Sequence, residues 1–301
     1  MKEYGEVLEN VSLKDYSSIK IGGNCKYLIK PYDIEHLIDL INYLKNNNIK
    51  YYVLGNGTNV ILDDSYFDGV IIKLDNLKGI HYEENIVTCE SGVSLPFFVK
   101  DTLNKGYTSL GFASMIPGSV GGAVVGNAGC YLHEIMEYVK SVTVLNRYNE
   151  VITIEKNDIS FGYRYTSLKG KYIILSTTFI LNKGNVALEL HQIQANNEKR
   201  INTQPLNYPN VGSIFRNPEG YSAGKLIDDL GLKGYKIGDA GISEKHANFI
   251  VNLGNATFED VISLIDYIKA KVKETYDIDL ICEPEIIRWS NLWKKSVKRS
   301  D

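Results

Sequence analysis

The chain has 301 residues, of which 44% are hydrophobic and 23% are charged, and its formal net charge is −3. This length exceeds what one compact core needs, so we expect two or three domains in a globular protein. The near-neutral charge favours neither nucleic acid nor an anionic membrane as a partner. No apolar run reaches the ~18 to 20 residues of a membrane helix and the N-terminus lacks a signal-peptide core, so we expect a cytoplasmic protein.

Cysteine and histidine are scattered, with four and five residues respectively. No Cys-x-x-Cys pair and no Cys/His cluster occurs, so we expect neither a metal site nor a disulfide framework. Residues 294–299, KKSVKR, are expected to be a solvated basic end of the chain.

Hydrophobic spacing, caps and turn residues predict an alternation of helices and strands. In chain order these are a helix at 33–48, strands at 51–54, 60–62, 70–74 and 86–90, a helix at 95–103, strands at 139–146, 151–155 and 172–181, helices at 187–200 and 224–230, a strand at 247–252, a helix capped by Thr257 and Asp260, and a closing strand at 280–287. An Asp68-Gly69 turn is expected before the strand at 70–74.

Two glycine-rich segments interrupt these elements. Residues 55–59 read GNGTN, and residues 116–129 read IPGSVGGAVVGNAG, with five glycines and no charge. Neither has the G-x-G-x-x-G or Gly-Lys-Ser/Thr fingerprint of common nucleotide sites. Glycines let backbone N–H groups approach an anion, and Asn59, Ser119 and Asn127 add uncharged donors. The residues alone leave two interpretations open, tight packing turns or loops that cradle a phosphate.

Five motifs occur in one order along the chain: LGNGTN at 54–59, the run at 116–129, SFGYRY at 160–165, GSIFRNP at 212–218 and EPEI at 283–286. This ordered set resembles the UDP-N-acetylenolpyruvoylglucosamine reductases, flavoenzymes of peptidoglycan precursor synthesis. AGKLI at 223–227 and KHANFIVN at 245–252 also match. The resemblance covers about residues 15–288 and is closest to the shorter type II branch, which lacks an insertion over the substrate.

The resemblance implies an α+β protein with an FAD-binding fold of the vanillyl-alcohol oxidase type in two subdomains, at 1–78 and 79–200. An α/β substrate-binding domain with the closing strand would follow at 201–301. FAD, bound without a covalent link, would contact residues of both glycine-rich segments. These are Gly55, Asn56, Gly57, Thr58, Asn59, Pro117, Gly118, Ser119, Gly121, Gly122, Asn127 and Gly129.

The implied reaction has two stages. NADPH reduces FAD, and a hydride then passes to the vinyl carbon of the enolpyruvyl ether of UDP-N-acetylglucosamine, giving UDP-N-acetylmuramate. The expected partners are therefore small molecules, with no nucleic acid and no membrane insertion. The sequence does not set the oligomeric state.

Three residues match the catalytic positions of the family. Hydride addition builds enolate charge on the substrate carboxylate, which the planar fork of Arg164 suits. Ser213 matches the proton donor, since a well-placed hydroxyl can protonate a strongly basic enolate. Glu285 matches the active-site glutamate, as a hydrogen-bond donor if protonated or as an orienting group if ionised.

Each of these residues has a simpler interpretation when it is taken alone. Arg164 is flanked by tyrosines and would fit an ordinary protein surface, and Ser213 follows a glycine as turn serines do. Glu283 and Glu285 share a strand face, as in a glycosidase pair, but no sugar-hydrolase motif accompanies them. A flavin oxidoreductase with another substrate and a non-catalytic flavin-binding module are the competing functions.

Substrate contacts are expected from Tyr163, Arg216 and Asn217, which adjoin the catalytic positions. The chain departs from the family pattern at Cys130 and Leu132, where small residues are common. We expect those two side chains to reshape the wall near the flavin. A third departure, Trp289, is expected to affect packing only.

Overall fold

The computed structural model describes residues 1–291; the basic stretch 294–299 lies outside the described residues. The described chain has six α-helices and eighteen strands. The helices are α1 (Ile34–Asn46), α2 (Leu95–Asn104), α3 (Val120–Gly126), α4 (Val186–Thr203), α5 (Ala223–Asp229) and α6 (Phe258–Tyr276). The strands are β1 (Gly5–Ser12), β2 (Asn24–Pro31), β3 (Tyr51–Val53), β4 (Val60–Leu62), β5 (Phe67–Ile72), β6 (Ile80–Glu83), β7 (Ile86–Glu90), β8 (Gly129–Cys130), β9 (His133–Glu134), β10 (Val139–Leu145), β11 (Val151–Glu155), β12 (Phe161–Gly162), β13 (Tyr165–Thr166), β14 (Ile173–Ile180), β15 (Lys236–Ile237), β16 (Ala240–Ile242), β17 (Ile250–Asn252) and β18 (Glu285–Ile287).

The chain forms two compact units from interleaved segments. Unit 1 consists of Met1–Glu9, Tyr27–Asn56 and Asp68–Glu198. Unit 2 consists of Asn10–Lys26, Gly57–Phe67 and the chain from Lys199 onward. The three consecutive domains proposed from the sequence, at 1–78, 79–200 and 201–301, stay a prediction.

Unit 1 contains a core between helix α1 and a four-stranded sheet of order β1-β2-β5-β3. Strand β3 pairs with β5 in parallel, and the chain between these two strands contains β4. The α1 residues Leu37, Leu40, Ile41 and Leu44 are buried at helical spacing. Asp33 caps this helix by accepting a hydrogen bond from the backbone N–H of His36, which satisfies one otherwise unpaired donor.

A second core of unit 1 lies on a five-stranded antiparallel sheet of order β11-β10-β14-β7-β6. Phe98 of α2 packs on Phe179 of β14, with ring centroids 5.2 Å apart. The α3 residues Val120 and Val124 are fully buried in the same cluster. This packing fixes the glycine-rich helix to the sheet.

Unit 2 is built around helix α6, whose apolar stripe is buried in its core. Thr257 and Asp260 form a capping box at its start, as the sequence predicts. Strands β15, β16 and β17 form one small sheet, and β18 pairs in parallel with β4. Three isoleucines from the first 61 residues of the chain, Ile19, Ile21 and Ile61, are fully buried in this core.

Three predicted elements have different bounds in the structure. The closing strand begins at Glu285 and not at residue 280, because Pro284 has no N–H and the preceding residues pair with a loop near Phe215. The strand predicted at 247–252 begins at Ile250, since a turn from His246 to Phe249 precedes it. The predicted Asp68-Gly69 turn is wrong, because both residues lie inside β5.

Within residues 1–291, no helix is long and apolar enough to cross a membrane. The same residues contain no cluster of three or more histidine, cysteine or acidic side chains that could hold a metal ion. None of the four cysteines is in a disulfide.

Candidate active site

The segment 116–129 is not the loop that its glycine content suggests, because its middle forms helix α3. Ser119 caps the helix, its Oγ accepting a hydrogen bond from the N–H of Gly122 at 3.2 Å. Gly118, just before it, has a φ of +136°, a conformation reserved for glycine. A Cβ on Gly121 would lie 2.5 Å from the Cβ of Ser91, so close packing requires that glycine. Gly122, by contrast, is exposed.

The first half of the GNGTN loop belongs to unit 1 and lies against this helix start. Gly55 and Asn56 are exposed, and a Cβ on Gly55 would be 3.4 Å from the Oγ of Ser119. The two glycine-rich segments therefore meet within unit 1.

Lys73 is a buried residue that hydrogen-bonds to the GNGTN loop, and the sequence analysis did not identify it. Its side chain is buried, with only 4% of the residue exposed, and its Nζ donates to the carbonyl oxygen of Gly55 at 2.5 Å. Asp75 is its ionic partner at 3.2 Å. Burial lowers the pKa of Lys73, and the carboxylate of Asp75 opposes that shift. The signal in the sequence was a single lysine inside the apolar run VIIKL at 70–74.

The second half of the loop, Gly57 to Asn59, belongs to unit 2. Gly57 has a φ of +66°, and a Cβ there would lie 1.9 Å from the carbonyl oxygen of Tyr16. Its own carbonyl accepts the N–H of Ser18 at 3.0 Å. The adjacent Ser17 is 2% exposed, and its Oγ has no hydrogen-bond partner among the described residues.

Asn127, predicted to contact the cofactor, is fully buried, and its side chain points into unit 1. It ends α3 in the left-handed region, with φ +44°. Its Nδ2 donates to Glu134 Oε2 at 2.7 Å and to the carbonyl oxygen of Gly162 at 2.8 Å. Its Oδ1 accepts from the N–H of Met136 at 3.2 Å. The amide thus joins the end of α3 to the hairpin that carries Arg164.

Arg164 lies at the tip of the β12–β13 hairpin, in the two-residue turn that it forms with Tyr163. Its φ is +56°, a conformation that costs a non-glycine residue about 1–2 kcal/mol. Its Nη2 donates to the carbonyl oxygen of Gly129 at 2.7 Å, and its guanidinium lies 5.1 Å from the ring centroid of Tyr163. Thr166 Oγ1 donates to the carbonyl oxygen of Val125 at 2.7 Å. The hairpin is therefore anchored to segment 125–129, and the half-buried arginine with it.

Ser213 is half-buried in unit 2 and follows Gly212, whose φ is +83°. Beyond it, the N–H of Arg216 donates to the carbonyl oxygen of Ile281 at 2.9 Å. The Nε of Arg216 is buried without a hydrogen-bond partner in the described chain. Asn217 Oδ1 accepts from the N–H of Ala223 at 3.0 Å, so that side chain braces the start of α5.

Glu285 is half-buried at the start of β18 in unit 2, next to two other predicted site segments. Its N–H donates to the carbonyl oxygen of Asn59 at 3.0 Å. Two residues earlier, the N–H of Glu283 donates to the carbonyl oxygen of Ile214 at 2.8 Å. Unit 2 thus brings Glu285 close to Asn59 and to the Ser213 segment, whereas Arg164 and the 116–129 segment belong to unit 1.

Cys130 and Leu132, which depart from the family pattern, lie on the β8–β9 hairpin. Cys130 Sγ is 2.9 Å from the carbonyl oxygen of Phe112. Leu132 is fully exposed in a turn where it and Tyr131 both have positive φ. Trp289 stacks on Phe67 with ring centroids 4.4 Å apart, a packing role as expected.

Comparison with known proteins gives the class and the family. The chain matches the FAD binding domain model over residues 25–155 and the UDP-N-acetylenolpyruvoylglucosamine reductase C-terminal domain model over residues 204–287. It is 41% identical over 284 residues to the UDP-N-acetylenolpyruvoylglucosamine reductase of Caldanaerobacter subterraneus subsp. tengcongensis, covering 94% of both chains. It is 42% identical over 276 residues to the enzyme of that name from Clostridium kluyveri, covering 91% of both.

A solved structure agrees with these matches. The UDP-N-acetylenolpyruvylglucosamine reductase of Thermus caldophilus superposes with a TM-score of 0.77 at 31% identity, over 94% of this chain and 99% of that chain. The fold is thus α+β with an FAD-binding domain, as predicted, and the protein is an FAD-dependent oxidoreductase. Within that class, the chain belongs to the UDP-N-acetylenolpyruvoylglucosamine reductase family.

The residues at the GNGTN loop fit FAD. In unit 2, Gly57 is required by the close approach of the Tyr16 backbone, and the buried hydroxyl of Ser17 has no hydrogen-bond partner in the described chain, which a polar cofactor group would supply. In unit 1, the exposed backbone of Gly55 offers uncharged polar groups, which suit a pyrophosphate.

Proposed function

We propose that this protein reduces the enolpyruvyl ether of UDP-N-acetylglucosamine to UDP-N-acetylmuramate, with NADPH as the reductant, in the cytoplasmic synthesis of peptidoglycan precursors. The observation that carries the proposal is relatedness over nearly the whole chain to reductases of that name, at 41% identity. The placement of Ser213 and Glu285 on neighbouring segments of unit 2 supports it.

FAD would be held by the two glycine-rich segments. When bound, it supplies two-electron chemistry, accepting a hydride from NADPH and donating one to the vinyl ether. We assign its binding to Gly55, Asn56, Gly57, Thr58, Asn59, Pro117, Gly118, Ser119, Gly121, Gly122, Asn127 and Gly129. The buried side-chain amide of Asn127 also hydrogen-bonds to Glu134 and to the carbonyl oxygen of Gly162.

The overall reaction adds two hydrogens across the vinyl double bond of the substrate. The terminal carbon gains a hydride, the carbon that carries the ether oxygen gains a proton, and NADPH is oxidised to NADP⁺. Arg164 stabilises the enolate charge that develops on the substrate carboxylate between these two events. Its fixed anchor on Gly129 presents the guanidinium without further ordering.

Ser213 donates the proton in this proposal: its O–H bond breaks as the new C–H bond forms, and the hydroxyl is then restored from solvent. Glu285 lies on the adjacent strand and orients the enolate or the serine. Tyr163, Arg216 and Asn217 would bind the substrate, and the unpaired Nε of Arg216 suits an anionic group such as a diphosphate.

The purified protein tests this function directly. We expect a yellow protein that oxidises NADPH faster when the enolpyruvyl nucleotide is present, with one product nucleotide formed per NADPH. A Ser213→Ala variant should still accept electrons from NADPH but should reduce the nucleotide slowly. A folded, colourless preparation that takes up no flavin on reconstitution would contradict the proposed function. Full turnover by Ser213→Ala would contradict the role of Ser213 as proton donor.

A further inference from the structure

The motif KHANFIVN at 245–252 has no role in the reaction proposed above, yet one of its residues is hydrogen-bonded to the segment that carries Ser213. Asn248 is buried, with 4% of the residue exposed. Its Oδ1 accepts the N–H of Phe215 at 3.0 Å, and its Nδ2 donates to the carbonyl oxygen of Phe215 at 2.8 Å. Its backbone carbonyl also accepts the N–H of Ile214 at 2.8 Å. One side-chain amide thus satisfies both backbone groups of Phe215, as a neighbouring strand would.

The other side of the same segment is fixed by the chain just before Glu285. Phe215 forms a β-bridge with Cys282, and Ile214 accepts a hydrogen bond from Glu283. Residues 214–216 are therefore held from both sides, immediately after Ser213. Gly212, on the other side of Ser213, is held within the described chain by a single side-chain contact, the hydrogen bond from its N–H to Asn210 Oδ1 at 2.9 Å.

We infer that Asn248 is a positioning residue for proton transfer from Ser213, an inference that rests on the proposed function. The two hydrogen bonds of the Asn248 side-chain amide would fix the position of the Ser213 segment relative to the Glu285 segment within unit 2. Proton transfer is sensitive to such placement, because a misplacement of about 1 Å can cost about 100-fold in rate.

The Asn248→Asp variant tests this role with little change of shape. The carboxylate keeps an acceptor for the N–H of Phe215 but places a second oxygen against the carbonyl oxygen of Phe215, which displaces the segment. We expect reduction of the enolpyruvyl nucleotide by the FAD-loaded variant to slow about 10- to 100-fold. Flavin reduction by NADPH should be unchanged, and the solvent deuterium isotope effect on nucleotide reduction should rise because protonation becomes limiting.

Asn252→Asp is the matched control. Asn252 lies four residues along in the same motif and is 3% exposed, and its Nδ2 donates to the carbonyl oxygen of Ile19 at 2.9 Å. The substitution therefore disturbs a buried amide of the same kind without touching residues 213–216. We expect a comparable loss of thermal stability but a wild-type isotope effect.

A double variant separates positioning from general damage. In a Ser213→Ala background, Asn248→Asp should slow nucleotide reduction little further, since effects that act through one group are not additive. Asn248→Ser, which keeps one hydroxyl toward Phe215, replaces the aspartate variant in all of these measurements if the latter does not fold.

The outcomes are distinguishable. A wild-type isotope effect in folded Asn248→Asp, next to a slow Ser213→Ala, overturns the inference alone. The same isotope effect in Asn248→Asp and Asn252→Asp also overturns it. A wild-type protein that accepts electrons from NADPH but leaves the nucleotide unreduced overturns the proposed function and this inference together.

Discussion

At the scale of single residues, the candidate site contains a residue, Arg164, whose backbone conformation is unfavourable in isolation. Arg164 has a left-handed backbone, and the bond from its guanidinium to Gly129 keeps it there. Such strain persists only where the surroundings impose it, and it concentrates at functional sites. We therefore expect that replacing Arg164 leaves the stability of the fold nearly unchanged but slows the reaction.

Arg164→Gly tests that distinction. Relief of the left-handed strain, worth about 1–2 kcal/mol, offsets the lost hydrogen bond of about 1 kcal/mol and the flexibility of glycine. We expect the free energy of unfolding to change by less than about 1 kcal/mol, while nucleotide reduction falls about 10²- to 10³-fold. Urea denaturation and turnover measure the two quantities.

Glu84→Gly is the control for Arg164→Gly. Glu84 is exposed, has a φ of +52° and lies in the turn between β6 and β7. It should show a similar small change in stability with wild-type turnover. Near-normal nucleotide reduction by Arg164→Gly would rule out a role for the cation in the reaction.

Individual residues also show what sequence reasoning reached and what it missed. Arg164, Ser213 and Glu285 were found from the order of motifs, and their roles stay predictions. The inward orientation of Asn127 depends on partners at Glu134 and Gly162, whose proximity only the fold reveals. Lys73 was visible as a lysine in an apolar strand, but its contact with Gly55 was not.

At the scale of elements, the helices with clear apolar stripes and caps were predictable, whereas α3 was not. Helices α1 and α6 follow their periodicity and cap residues. Helix α3 contains three glycines in seven residues, and each weakens an isolated helix by about 1 kcal/mol relative to alanine. Its helical state comes from packing against the sheet, which no local pattern encodes.

The glycines of α3 should therefore differ sharply in their tolerance of a methyl group. In Gly121→Ala, the new Cβ would lie 2.5 Å from that of Ser91, so we expect a loss of about 1–3 kcal/mol in the free energy of unfolding. In Gly126→Ala, nothing lies within 4 Å of the new Cβ, and stability should be unchanged or should rise by up to about 1 kcal/mol. Equal stabilities of the two variants in urea denaturation would show that close packing does not require Gly121.

At the scale of the whole molecule, each compact unit is assembled from segments far apart in the sequence. Unit 2 takes Ile19, Ile21 and Ile61 from the N-terminal part of the chain, and all three are fully buried. Local patterns give no hint of this interleaving, because spacing along a segment reports which face is buried and not which partner covers it. The division into consecutive domains that we predicted from local patterns could not have included this interleaving of distant segments.

Residues 199–301 alone should consequently fail to fold. Each missing isoleucine would contribute about 1.5–3 kcal/mol of burial, and the sum is comparable to the roughly 5–15 kcal/mol that stabilises a whole domain. We expect this fragment to show no cooperative thermal transition by circular dichroism. Mixing it with residues 1–198 during refolding should restore the transition. A cooperative transition of the fragment by itself would contradict the dependence on the N-terminal segments.

The pairing of β4 with β18 has a consequence for synthesis on the ribosome. Val60 leaves the ribosome about 225 residues before its partner Glu285. At a translation rate of about 5–20 residues per second, β4 is synthesised roughly 10–45 s before the strand that pairs with its edge. An uncovered strand edge invites pairing with other chains, so nascent copies are most exposed to aggregation during this interval. Premature termination anywhere before residue 285 would leave β4 permanently without this partner strand.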